Sequence, residues 1–196
     1  MKNSDNDFYG KQEDEKILYV VHPHPYATTF GLLKIYAISL IVTLALVILG
    51  TQVPLFAGLF FTLGLILFFA IILFGSKIIL DWQNRNIAYI TDRRIVRFEP
   101  TTLFATNSRS LTWDEVIKVK TYPPNFIWKQ LAIGNVVIHS RTPELGSNAD
   151  DIILNDVFYY KDLGNYIDKI LFTYKQKPVE VLKIHPFVPK PRGERY

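Results

Sequence analysis

The sequence predicts an α+β protein with a membrane segment: a two-helix transmembrane hairpin, then a small domain of short strands closed by one helix. Three observations predict it. Residues 35–76 contain no Asp, Glu, Lys, Arg or His in 42 positions. That run is broken once, at Gly50-Thr51-Gln52-Val53-Pro54. Beyond residue 86 the pattern turns to short alternating segments, and near residue 158 it changes to spacings of three and four.

Residues 1–29 read as a cytoplasmic N-terminal segment. The first 16 hold three lysines and five carboxylates, net −2, and are expected to lack fixed structure. They are polar and acidic, unlike a signal peptide. Ile17 to Val21 suits a short strand. His22 and His24 follow within "HPHPY". A His-x-His pair in an extended segment can begin a zinc or copper site. A stable site needs further ligands. The chain has no cysteine, and His139 and His185 lie far away with no recruiting spacing. An interfacial segment stiffened by prolines is the plainer reading, so no metal or other cofactor is expected.

The hairpin occupies residues 30–76. A single helix of 42 residues would be about 63 Å long at 1.5 Å per residue. The hydrocarbon layer is only about 30 Å thick. The run must fold back, and glycine and proline mark where. The helices are placed at 30–49 and 55–75. Both halves are apolar on every face, whereas a hairpin in a water-soluble protein would show a polar stripe. The outer flanks carry Lys34, Lys77 and Arg85, and the turn carries no positive charge. The positive-inside tendency then puts both termini in the cytoplasm, in a multi-pass protein of the inner (cytoplasmic) membrane. Tyr26, Lys34, Lys77, Trp82 and Arg85 are the expected membrane-interface residues. Ser39/Thr43 and Gly58/Thr62 are small-residue pairs that let helices approach closely.

Residues 77–86 form a polar linker, and 87–176 form the strand domain. "IAYIT" and "RIVRF" read as strands joined at Asp92-Arg93. "SRSLTW" and "VIKVKTY" are two more, with a turn at Trp113-Asp114-Glu115. Pro123-Pro124 ends the fourth, since neither residue donates to a ladder. "FIWKQL" reads as a short helix, and "GNVVIHS" and "DIILND" as strands. Tyr159, Leu163, Tyr166, Ile167, Ile170, Leu171 and Tyr174 then mark an amphipathic helix. Short antiparallel strands plus one helix make a small α+β domain. Residues 177–196 form a proline-rich, basic tail (Pro178, Pro186, Pro189, Lys190, Pro191, Arg192, Arg195), expected to be extended and mobile.

The order of these pieces resembles the bacterial pleckstrin-homology (PH) membrane proteins, the YdbS-like group formerly listed as a domain of unknown function. The resemblance is carried by a tight pair of membrane helices, then "YITDRRIVR", "LTWDEVIKVK" and "WKQLAIGNVVIHS", and a closing helix. It runs from about Val21 to about Phe172. It implies a PH-like split β-barrel capped by a C-terminal α-helix, with no enzymatic activity.

Arg93, Arg94 and Arg97 are the candidate site for contact with anionic lipid or an acidic partner. On a strand Arg93 and Arg97 share one face with Ile95, and Arg94 takes the other. They follow the second helix by about ten residues, which suggests an inner leaflet worth roughly 1 kcal/mol per nearby basic residue. The competing reading is that they are solvated strand residues that discourage edge-to-edge aggregation. Eukaryotic PH domains often bind inositol phosphates with a lysine on the first strand and a basic-x-Arg pair on the second. Here the first strand has no basic residue, and Arg94-Ile95-Val96-Arg97 is one residue too long.

Residues 77–196 hold 18 Lys/Arg against 13 Asp/Glu. These charges are scattered and no nucleic-acid recognition motif accompanies them, so nucleic acid is not an expected partner. No nucleophile, base and oxyanion site assemble in the sequence. The expected function is a non-catalytic scaffold that binds lipid, a protein partner or a second copy of itself at the membrane. The alternative is an envelope or lipid-related metal-dependent enzyme, or a transporter accessory subunit.

Overall fold

The computed structural model describes residues 5–141 and 151–190. It is an α+β chain in which two long apolar helices precede most of two antiparallel sheets. The chain divides into two units, Pro25–Arg85 and the combination of Met1–His24 with Asn86–Tyr196.

In the helical unit, α1 spans Pro25–Gln52, a 3-10 turn covers Pro54–Phe56, and α2 spans Ala57–Arg85. Both helices outrun the expected 30–49 and 55–75. Pro25 suits a first helical position, and nothing from Lys77 to Arg85 is a Gly or Pro that would end α2. An apolar window therefore marks where a helix is greasy, not where it stops. Only Val53 separates α1 from the 3-10 turn. The helices run antiparallel, with Gly31 against Ile79, Ile35 against Gly75, Thr43 against Gly64 and Gly50 against Phe60. Ser39 is buried in this seam, and the Thr43 hydroxyl donates to the Ser39 carbonyl at 2.8 Å. Gly58 faces open space instead, and Thr62 bonds back to its carbonyl. One of the two expected small-residue pairs thus lies between the helices. Among the described residues these helices bury only Ser39, Gly50 and Gly64.

The second unit holds two antiparallel sheets. The first has the order β1-β2-β3-β4, from Ile17–Val21, Ile87–Thr91, Arg94–Pro100 and Thr106–Thr112. The second has the order β5-β6-β7, from Val116–Tyr122, Ile133–Ser140 and Ile152–Phe158. Among the described residues no ladder joins the two sheets, so the barrel is not closed. Helix α3 covers Phe126–Gln130, and α4 covers Tyr160–Gln176.

β1 lies before the helices and β2 after them, yet they pair directly, Val21 opposite Ala88 and Tyr19 opposite Ile90. The chain leaves the first sheet and returns to it at the same end. Alternation then builds two apolar layers. Leu18, Ile90, Ile95 and Leu111 face the main core, which also takes Trp113, Val136, Ile138, Ile152 and the α4 residues Leu163, Ile167 and Ile170. Tyr89, Val96 and Phe98 point the other way and are covered by Phe8.

The N-terminal segment, expected to lack fixed structure, is instead pinned to the first sheet through Phe8 and Glu15, while most of its other described residues are exposed. Phe8 lies 4.6 Å from the Tyr89 ring and 6.2 Å from the Phe98 ring, and Glu15 is buried. One aromatic residue and one ion pair overcome a polar composition.

The tail also departs from expectation. A 3-10 turn at Pro178–Lys183 and the chain beyond it bury Val181, Ile184 and Phe187 against the main core. The Phe187 N–H donates to the Leu18 carbonyl at 3.3 Å, and the Tyr166 hydroxyl donates to the His185 carbonyl at 2.8 Å. Three apolar residues at spacings of three dock a segment whose prolines suggested a free chain. Pro191, Arg192 and Arg195 lie outside the described residues.

In α4, Tyr159 takes the left-handed N-cap position, φ 50°, and Tyr160 goes inward in its place. Two close approaches seat this helix. A Cβ on Gly134 would lie 2.6 Å from Tyr160 Cγ, and one on Gly164 would collide with Thr121 Cγ2.

Candidate functional site

The β2–β3 turn gathers the arginines. Thr91 ends β2, and its hydroxyl oxygen accepts the N–H groups of Arg93 and Arg94 at 3.2 and 3.0 Å. That oxygen also lies 2.8 Å from both Glu15 Oε1 and the Arg94 carbonyl oxygen, and its one proton is donated between them. The turn is locked from the opposite side. The Lys16 N–H donates to Asp92 Oδ1 at 2.9 Å, and the Asp92 N–H donates to the Lys16 carbonyl at 3.0 Å. The Trp113 indole N–H donates to the Thr91 carbonyl at 3.1 Å.

The three arginines do not form one basic face. Arg94 grips Glu15 through two hydrogen bonds and also reaches the Gly10 carbonyl at 2.7 Å. Its guanidinium carbon lies 5.9 Å from the centre of the Phe8 ring. Burial pushes the Glu15 carboxyl up, but bonds from Arg94, the Gln12 N–H and Thr91, with the Arg94 charge, outweigh it and hold the group below its ordinary range. The same bond raises Arg94, against a smaller opposing effect of burial. Arg97 is only 5% exposed, and its charge meets Glu99 at 3.3 Å. Burial lowers its pKa, Glu99 opposes this, and Arg109 adds to the lowering. Arg97 also lines a small surface pocket with Pro23, Asn86 and Asn155. Arg93 is half-exposed and leans on Gln12 and Asp14. Arg94 and Arg97 are thus engaged by carboxylates of their own chain, a structural use of charge.

The register fixes where the turn lies. Thr91 pairs with Ile17, at the end of the sheet opposite Val21 and Ala88. Arg93 and Arg94 are therefore remote from the end at which the chain departs for α1. Chain distance from α2 suggested proximity to lipid, but a strand leads away from its starting point.

At the departing end, the two histidines take different partners. His22 Nε2 lies 3.2 Å from Asp5 Oδ1. The His24 N–H donates to the Asp156 carbonyl at 2.7 Å, and its ring lies 5.1 Å from that of Phe158. Burial lowers the His24 pKa, and Asp156 partly offsets this. Among the described residues no three His, Cys, Asp or Glu side chains converge to hold a metal. Asp156 is itself unusual. It holds φ 53°, and its carboxylate accepts the Trp128 indole N–H. Ala132 and Tyr159, the other described non-glycine residues at positive φ, are joined by a 2.9 Å bond from the Tyr159 N–H. Three left-handed residues thus shape the ends of β6 and β7.

Of the expected interface residues, Tyr26 stands exposed in the first turn of α1, and Trp82 stands exposed in the last turns of α2. Arg85 donates to the Asp81 carbonyl. Lys34 and Lys77 are exposed, and the contacts Gly31–Ile79 and Ile35–Gly75 put them at one level of the hairpin. Sequence reasoning missed Phe8, Gln12 and Glu15. The signal available was Phe8-Tyr9, two aromatic residues in a polar stretch.

No protein-family model matches the chain, and no curated protein matches its sequence. Among solved structures it is similar to the Vps36 N-terminal PH domain at 15% identity and a TM-score of 0.34, covering 49% of this chain and 68% of that one.

Proposed function

We propose that this chain is an integral membrane protein that presents a PH-like binding domain on the cytoplasmic face, and that it acts as a scaffold without catalysis. The observation that carries this reading is the contrast between the two units. The strand domain has a closed apolar core, whereas α1 and α2 leave Ile41, Leu73, Phe74 and most of their other large apolar side chains exposed. Soluble monomers rarely expose a continuous apolar patch of more than a few hundred Å². Away from its ends an α-helix pairs its own backbone polar groups, as a lipid environment demands. The PH-like assignment rests on the architecture, a four-stranded and a three-stranded antiparallel sheet closed by a C-terminal helix.

The partner is a strand of another protein or a second copy, seated on β4. This strand is outermost in its sheet, and Thr106 to Ser110 are exposed in sequence with one charge among them, Arg109. Unpaired edges accept strands by main-chain hydrogen bonding. Membrane lipid is the second partner, and neither a cofactor nor nucleic acid has a place in this reading.

Alkaline carbonate extraction of membranes tests the integral assignment. The protein is expected in the pellet; release into the supernatant would refute it. Disulfide crosslinking of Ser108→Cys in native membranes tests the edge. Adducts are expected at Ser108, and their absence there would remove β4 as the seat.

A further inference from the structure

Two pairs of large apolar side chains stand exposed at one end of the strand domain. Leu103 and Phe104 tip the β3–β4 hairpin, and Phe104 is 96% exposed. The turn beneath them is closed. The Thr101 N–H donates to the Ala105 carbonyl at 3.0 Å, and the Thr102 hydroxyl accepts the Ala105 N–H at 3.0 Å. Phe126 and Ile127 open α3 and are 71% and 55% exposed. The Asn125 side chain caps this helix by accepting the Trp128 N–H at 2.9 Å, and Trp128 turns inward to Asp156. In both places the backbone is pinned and the apolar pair is displayed.

The register puts both pairs at the end where the chain departs for α1 and returns from α2. In the first sheet Ile87 pairs with Phe98, and β3 runs on to Pro100 opposite Thr106. The hairpin overhangs the start of β2 by two residues and a turn, roughly 10 Å at 3.3 Å per residue. In the second sheet the route is a hydrogen-bond chain. His24, the residue before α1, donates to the Asp156 carbonyl, and the Asp156 carboxylate holds Trp128 of α3. Lys129 in α3 and Lys120 near the end of β5 are exposed beside them. Among the described residues, the turns at the opposite end, at Asp92-Arg93 and at Asp114, are polar.

We infer that Leu103-Phe104 and Phe126-Ile127 form a docking wedge for a lipid surface. They enter the interfacial layer of the bilayer that α1 and α2 cross, with Lys120 and Lys129 against anionic headgroups. This rests on the membrane reading above. Lipid is the occupant because the chain passes into both apolar helices from this end, so the bilayer is the apolar phase next to it.

The chain contains no cysteine, so single-cysteine variants of the full protein each report one position. Nitroxide labels go on Phe104→Cys, Ile127→Cys, Leu44→Cys in α1 and Asp114→Cys at the far turn, in phosphatidylcholine–phosphatidylglycerol vesicles. Collisions with oxygen and with a water-soluble nickel chelate are compared. Labels at 104 and 127 are expected to favour oxygen, as at 44, and the label at 114 to favour the chelate. Chelate-accessible labels at 104 and 127, with 44 in lipid, overturn the wedge and leave the membrane hairpin standing. A chelate-accessible label at 44 removes both. Labels at 104 and 127 shielded from both reagents belong to a protein interface and overturn the wedge as well. Leu103→Cys and Phe126→Cys repeat each reading should a first variant misfold.

Discussion

Arg94 on β3 holds Glu15 with both arms of its guanidinium, Nε to Oε1 and Nη2 to Oε2, each at 2.9 Å, across 79 residues of sequence. The pair ties the segment before the helices to the sheet that forms after them. The Glu15 side chain is fully buried, so losing Arg94 leaves a carboxylate held only by the Gln12 N–H and the Thr91 hydroxyl, with no positive charge beside it.

Arg94→Leu is expected to cost about 3 kcal/mol or more, the usual penalty for breaking a buried pair from one side. Glu15→Leu with Arg94→Leu together should recover part of this. The check is chemical unfolding of the full chain in detergent. Equal losses in the single and double variants would show that the two residues do not act as a pair.

The same pair gives an acid dependence. The folded-state pKa of Glu15 lies below its ordinary value of 4.5. Its contribution is therefore fully present above about pH 4.5 and is lost as pH falls through the lower folded value. Unfolding midpoints measured from pH 6 to pH 3 should fall in the parent and flatten in Glu15→Gln. A parallel fall in both would assign the acid sensitivity to other carboxylates.

Tyr166 reports on the docked tail. Burial pushes its phenol up to about 12 from 10.0. A raised tyrosine stabilises the fold fully below pH 10 and loses that effect between about 10 and 12. Phe187 packs 5.3 Å from the Tyr166 ring. Removing residues 184–196 is expected to expose Tyr166 and bring its ionisation back toward 10, read by ultraviolet titration. An unshifted titration would mean the tail does not cover it.

Gly164 and Thr121 are in contact where α4 crosses β5. Gly164→Ala should cost roughly 1–3 kcal/mol by overpacking. Adding Thr121→Ser removes the methyl in the way and should restore most of it. Gly58→Ala, with nothing within 4 Å, is expected to leave stability unchanged or raise it. Thermal unfolding of the three variants decides this, and a neutral Gly164→Ala would refute the close approach.

The parts of this fold that could be read from sequence are those that repeat locally. The charge-free run gave both helices, and alternation gave β2 and β3. The short helix at Phe126–Gln130 and the period of α4 were also legible. Long-range partnerships were not. Nothing in "KQEDEK" distinguishes Glu15 from Glu13, because what separates them is Arg94. The ion pairs of the arginine group were hidden for the same reason. Spacing places three cations within five residues, but only the fold reveals that Glu15 and Glu99 meet two of them. The docked tail was hidden by its prolines, whose backbone restriction does not prevent Val181, Ile184 and Phe187 from reaching the core.

The central claim is that α1 and α2 cross a bilayer as a hairpin, with the strand domain on the cytoplasmic side. Intact cells expressing single-cysteine variants test it most directly, using a membrane-impermeant maleimide. Thr51→Cys, at the hairpin turn, is expected to label in intact cells. Asp114→Cys, in the strand domain, is expected to label only after the membrane is opened. Labelling of Asp114→Cys in intact cells, or failure of Thr51→Cys to label while Asp114→Cys remains protected, would contradict the account.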